Sequence, residues 1–120
     1  MKLKAKKFLA EARTLIVDPA EWVQGYEATD SDGWELPHVY HHTATCFCSI
    51  GAIKRAAFDS RAVIDFNDEE YVYHHAITAM TNAVQSTSEY YDTIEGFNDA
   101  QETEHSDVLK MFDHAIANLG

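Results

Sequence analysis

The chain has 120 residues, 46% of them apolar, which is enough for one hydrophobic core and too short for a second domain of ordinary size. Nine Lys and Arg against 20 Asp and Glu give a formal net charge of −11, a balance that argues against direct binding to nucleic acid or to an anionic membrane. There is no apolar run of about eighteen residues, and residues Met1 to Lys7 lead into an amphipathic pattern instead of a signal-peptide block, so the expected location is cytoplasmic.

The charge is unevenly placed. Residues 1–61 hold 8 basic and 8 acidic side chains, whereas residues 62–120 hold Lys110 as their one basic residue against 12 acids. The second half therefore carries the whole net charge, and a partner steered by it is expected to be basic.

In chain order, Ala5, Phe8, Leu9, Ala12, Leu15 and Ile16 recur at helical spacing and predict a first helix. Asp18, Pro19 and Glu21 predict a capped helix start and a short helical turn carrying Trp22, ended by Gly25. Between Tyr26 and Leu36, the pair Asp32 and Gly33 signals a turn joining two short strands, a small β-hairpin near residues 26–36. A second long helix is expected from about Ala44 to Phe58, with Cys46, Ile50, Ile53 and Ala57 on one face and Phe47 and Gly51 beside them. Gly51 there would let another helix backbone come close, at a cost of about 1 kcal/mol in helix propensity relative to Ala.

A third helix is expected to begin at Asn67, capped with the help of Glu70, and to carry the stripe Tyr73, Ala76, Ile77, Met80, Ala83 and Val84. A loop rich in Ser, Thr and Glu follows. The last helix is expected from near Thr103, burying Val108, Leu109, Phe112, Ala115, Ile116 and Leu119. Four such stripes need one another, so the expected fold is mainly α, a compact bundle of about four helices with a small hairpin, in a single domain over residues 1–120.

Ile64 to Asp68 echoes Ile94 to Asp99, apart from the inserted Gly96. Helix capping accounts for the echo: Asn caps, acids favour the positive end of a helix, and the preceding Phe acts as a staple. The chain has 7 histidines, and His38, His41 and His42 precede Cys46 and Cys48 in an order that invites zinc. Within a helix, however, Cys46 and Cys48 would point about 200° apart, so a shared metal is not expected. Their spacing, one residue apart, is too strained for a disulfide, so both thiols are read as reduced. His74 and His75 are adjacent and would face different directions on the third helix, with His105 on the inner edge of the last helix and His114 on its outer side. No nucleotide-binding, hydrolase or zinc-protease motif is present, so no cofactor, metal or catalytic residue is assigned.

The blocks Trp22 to Gly25, Cys48 to Ile53, Phe97 to Asp99 and Asp107 to Ile116 resemble W-x-x-G, C-x-[LI]-G-A-[LI], [WF]-N-D and [DE]-V-L-x-x-[FL]-D-x-A-I, the pattern of an uncharacterised family of small phage and bacterial proteins. The resemblance implies a similar helical fold and a phage or mobile-element origin, and it brings no active site with it.

Two function classes follow. In the first, the chain is a small acidic non-enzymatic binding protein, for instance a phage-encoded modulator or inhibitor of a basic host protein or of its nucleic-acid-binding site. Its candidate residues are Glu89, Asp92 and Glu95 in the polar loop and Asp68, Glu69 and Glu70 at the start of the third helix. In the alternative, it is a small enzyme or ligand-sequestering protein whose pocket is lined by Tyr26, Trp34, Tyr40, His41 and His42, a segment with more amphipathic ring surface than a connector needs.

Overall fold

A computed structural model describes residues 2–60 and 66–119, with the backbone alone at residues 2, 3, 60 and 66–71. Helix α1 (Lys2–Leu15) buries Ala5, Phe8, Leu9 and Ala12, and Ile16 just past its end. These are five of the six residues of the expected stripe. The helix lies against α2 (Ser49–Ser60), α3 (Phe66–Thr87) and α5 (His105–Asn118), and α3 packs in turn on α2 and α5. The architecture is a mainly α bundle with α1 in contact with each of the other long helices. A short helix, α4 (Ile94–Asp99), sits against α2 and α3.

Asp18 does cap the next element, accepting from the Ala20 amide at 2.9 Å, but the element is a single 3-10 turn, Pro19–Glu21. Trp22 follows it in extended backbone and bridges to Phe47. The hairpin also forms. The Asp30 amide donates to the Trp34 carbonyl and the Leu36 amide to the Ala28 carbonyl, both at 3.1 Å, while the Asp30 carboxylate accepts from the amides of Asp32 and Trp34. Gly33, at φ +90°, supplies the left-handed residue that this turn needs. The returning arm is reduced to the one bridge between Thr29 and Glu35.

The paired strands lie elsewhere than expected: β1 (Ala28–Thr29) runs antiparallel to β2 (Cys46–Phe47). The second long helix therefore starts at Ser49, five residues later than the periodicity suggests, and Cys46 and Phe47 belong to a strand. Short apolar runs fit both periods, and here the backbone bonds decide. Thr45 donates to the Thr29 carbonyl, Cys48 to the Glu27 carbonyl, and Val23 to the Phe47 carbonyl, so this stretch is satisfied by neighbouring chain and not by its own next turn. The Cys48 thiol caps α2 by accepting from the Gly51 amide at 3.3 Å.

Gly51 is a site of close approach, but the neighbour is the Glu27 backbone and not a helix. A Cβ there would land 2.8 Å from the Glu27 carbonyl carbon and nearer still to its oxygen. On α3, Ala76, Met80, Ala83 and Val84 of the expected stripe are buried, joined by Val72 and Ala79, while Tyr73 and Ile77 are half-buried. The expected Asn67 cap with Glu70 lies outside the described side chains. Helix α5 begins two residues later than Thr103, with Glu104 as N-cap in a reciprocal capping box with Asp107. Among the described residues no helix is long and apolar enough to cross a membrane.

Candidate functional site

Three of the four family-like blocks, at Trp22 to Gly25, Cys48 to Ile53 and Phe97 to Asp99, meet at one buried amide. Asn98, on the last turn of α4, is fully buried. Its Oδ1 accepts from the Trp22 indole N–H at 2.8 Å, the Ser49 amide at 2.9 Å and the Ser49 hydroxyl at 2.7 Å. Its Nδ2 donates to the Val23 carbonyl at 3.1 Å and to Asp99 Oδ1 at 2.8 Å. Asp99 Oδ1 also accepts from the Gly25 amide at 2.9 Å. The Gln24 amide completes the joint by donating to the carbonyls of Asn98 and Ala100. Capping does not explain this Asn. The cap of α4 is Thr93, whose hydroxyl accepts from the Gly96 amide, and Asn98 instead ties the Trp22 to Gly25 segment to the start of α2. Because both of its side-chain hydrogens and its oxygen are engaged, Asn98 is a fastening and leaves nothing to offer a ligand.

Cys48 adjoins this joint. A helix N-terminus ordinarily favours a thiolate, but burial outweighs the amide hydrogen bonds, and the nearby Asp99 and Glu27 charges act in the same direction as burial; together they push the thiol up to about 11. It is therefore a protonated cap at neutral pH and not a nucleophile. Cys46 donates to the Ala20 carbonyl at 3.5 Å, and both cysteines are free thiols.

An open cleft of about 440 Å³ lies on the acidic half of the chain, between the loop that follows α3, helix α4 and the start of α5. It is lined by Thr87 to Tyr91, by Phe97 of α4, and by Glu102, Thr103, Asp107 and Met111. The Ser88 hydroxyl orders the loop by accepting from the amides of both Tyr90 and Tyr91 at 3.2 Å. Tyr91 meets Phe97 edge to face, with centroids 6.2 Å apart and planes at 72°, and its phenol donates to Glu102. That hydrogen bond holds the Tyr91 phenol above its ordinary value and the Glu102 carboxyl below its own, because the carboxylate is the form that accepts it. Tyr90 is 85% exposed.

Of the acidic residues singled out in the sequence, Glu89 lines this cleft. Asp92 is exposed, with its backbone carbonyl taking a bond from Gln85, and Glu95 is exposed on the first turn of α4, a helical position and not a loop one. The side chains of Asp68, Glu69 and Glu70 lie outside the described residues. Tyr90, Tyr91, Glu102 and Met111 have no role in the sequence reading, and Phe97 and Asp107 enter it as block residues and not as site residues. The adjacent tyrosines of a loop otherwise made of Ser, Thr and acids were the available signal, since such a loop has no core to fill with rings.

The aromatic and histidine segment divides. Tyr40 stacks between His38, at 3.8 Å, and Phe58, at 4.9 Å; His41 stacks on His42 at 4.5 Å and tilts against His38 at 5.7 Å. Arg55 clamps the loop by donating to the carbonyls of Val39 and His41 while its guanidinium lies about 6 Å from the Phe47 and Phe58 rings. Trp34 stands at the hairpin turn, 73% exposed, and Tyr26 is exposed in the segment before β1. His105 is half-buried against Trp22 and within 2.7 Å of the Ile16 carbonyl, and His74, His75 and His114 are exposed. Among the described residues no three His, Cys, Asp or Glu side chains come together as metal ligands.

The model of a family of unknown function (DUF6197) matches residues 1–118. No curated protein and no solved structure matches the chain.

Proposed function

The chain belongs to this family of unknown function, and we propose that it is a small cytoplasmic, non-enzymatic binding protein whose acidic cleft engages the basic surface of a protein partner. In a phage setting, which the sequence blocks suggest, such a protein would act as a modulator of a basic host protein or of its nucleic-acid-binding site. The reading is carried by one observation: Tyr90, Tyr91, Glu89, Glu102 and Asp107 line one open cleft in the half of the chain that holds 12 acids against Lys110. Carboxylates select a cation by charge, and exposed tyrosine faces add cation–π attraction and apolar contact at little entropic cost.

The test is a labelled peptide of mixed Lys and Arg, titrated against the full chain over a salt series. Binding weakens as salt rises, and Glu89→Lys with Glu102→Lys abolishes it at unchanged melting temperature. Binding that survives both the double reversal and high salt would sink the reading.

A second reading, ligand sequestration by residues 26–42, is favoured by the continuous stack from Phe58 through Tyr40 and His38 to His41 and His42. A flat aromatic ligand that quenches the fluorescence of wild-type protein but not of Tyr40→Ala would support it, and equal quenching of the two proteins would dismiss it.

A further inference from the structure

The lining of the acidic cleft distinguishes among cations. Of its lining, Phe97 and Met111 are apolar and buried. Tyr91 is fixed at two points, edge-on against Phe97 and through its phenol to Glu102, while the Tyr90 ring is open to solvent. Glu102 commits Oε1 to Tyr91, and Asp107 commits Oδ2 to the Glu104 amide at 2.9 Å. Asp107 keeps its other oxygen outside that bond, the Glu102 carboxylate also accepts from its own backbone amide, and Glu89 lines the same cleft.

A quaternary ammonium has no N–H and would leave these oxygens without a hydrogen bond. A lysine ammonium delivers its donors from one point. A guanidinium presents five N–H donors in one plane, can bond more than one carboxylate, and stacks on a tyrosine face while its aliphatic stem lies along apolar side chains. We infer that the cleft is a site for a single arginine side chain, carried on an exposed segment of a partner protein. The inference rests on the cation-binding reading above and narrows it to one chemical group.

The experiment uses the full chain, isotope-labelled, titrated with capped glycine pentapeptides that carry arginine, lysine or trimethyllysine at the centre. The amide signals of Ser88, Tyr90, Tyr91, Glu102 and Thr103 are followed by NMR. The arginine peptide moves these signals with an affinity about tenfold above that of the lysine peptide, a difference of about 1.4 kcal/mol. Glu102→Gln, which keeps an acceptor for the Tyr91 phenol, brings arginine down to the lysine level. Equal or tighter binding of lysine overturns the arginine assignment and leaves the cation reading standing. Tightest binding of trimethyllysine overturns it in favour of an aromatic cage. If no pentapeptide moves these signals while the mixed Lys and Arg peptide still binds, the cleft is not the site. If that peptide also fails to bind, the cation reading falls with it.

Discussion

Asn98 shows how much one side chain can hold in a chain of this size. Replacing it with Ala leaves the Trp22 indole, the Ser49 amide and the Ser49 hydroxyl without their acceptor and opens a small void between α4 and α2. The expected loss is about 2–4 kcal/mol, read as a lower urea midpoint at an unchanged slope. Loss below about 0.5 kcal/mol would show that water replaces the amide at no cost. Cys48 gives a residue-scale pH dependence. Its folded value, raised to about 11 from an ordinary value of 9, means that the unfolded chain releases this proton first as pH rises. Stability from this group is therefore complete below pH 9 and declines as pH rises through 11, by up to about 2–3 kcal/mol. Cys48→Ser retains a capping oxygen and removes the titration, so the difference in stability between the two proteins should change over that window and stay constant below it. A constant difference throughout would show that the thiol is not buried from solvent in the folded chain.

At the scale of elements, Glu27 and α2 act as a pair. The Glu27 carbonyl accepts from the Cys48 amide and lies over Gly51, and its side chain takes two bonds from Lys54, at 2.8 and 3.0 Å. Burial works to lower the Lys54 pKa, but the Glu27 hydrogen bond and charge outweigh it, and the ammonium is held above its ordinary value. Gly51→Ala should gain about 1 kcal/mol in helix propensity and still destabilise the protein by about 1–3 kcal/mol, because the added methyl meets backbone that cannot rotate aside. A stabilised variant would mean that the Glu27 segment moves off α2 at no cost. Trp22 emission should respond too, since the Glu27 segment continues directly from the Trp22 to Gly25 stretch that Asn98 fastens. Much of this level was legible beforehand. The stripes of α1 and α3 read largely as expected because long helices repeat their period enough times to be unambiguous. That of α5 is shifted: Val108, Phe112 and Ala115 are buried, Leu109, Ile116 and Leu119 half-buried, and Met111 joins the core. The start of α2 was not legible, because four residues from Thr45 to Cys48 fit either period until β1 is placed beside them.

Across the whole molecule, the sharp division of charge in sequence is softened in space. Helix α1 belongs to the neutral half but packs among the acidic helices, and Arg13 pairs with Asp113 of α5 at 2.9 Å across a separation of 100 residues. Self-repulsion remains, with a net charge of −11, so raising salt from low to physiological strength should raise the melting temperature by a few degrees. A melting temperature that falls with salt would show that ion pairs such as Arg13 with Asp113 outweigh the repulsion. The sequence by itself determined the mainly helical class, the apolar stripes and the excess of acid, since these depend on local period and composition. Only the tertiary structure decided that Asn98 is a fastening and not a cap, that Gly51 receives the Glu27 backbone and not a helix, and that Glu89 joins Tyr90, Tyr91 and Glu102 at one cleft while Asp92 and Glu95 do not. Each of those outcomes depends on which distant segments meet, and a pairing between residues 49 and 98 or between 91 and 102 is set by how helices pack and not by any pattern along the chain.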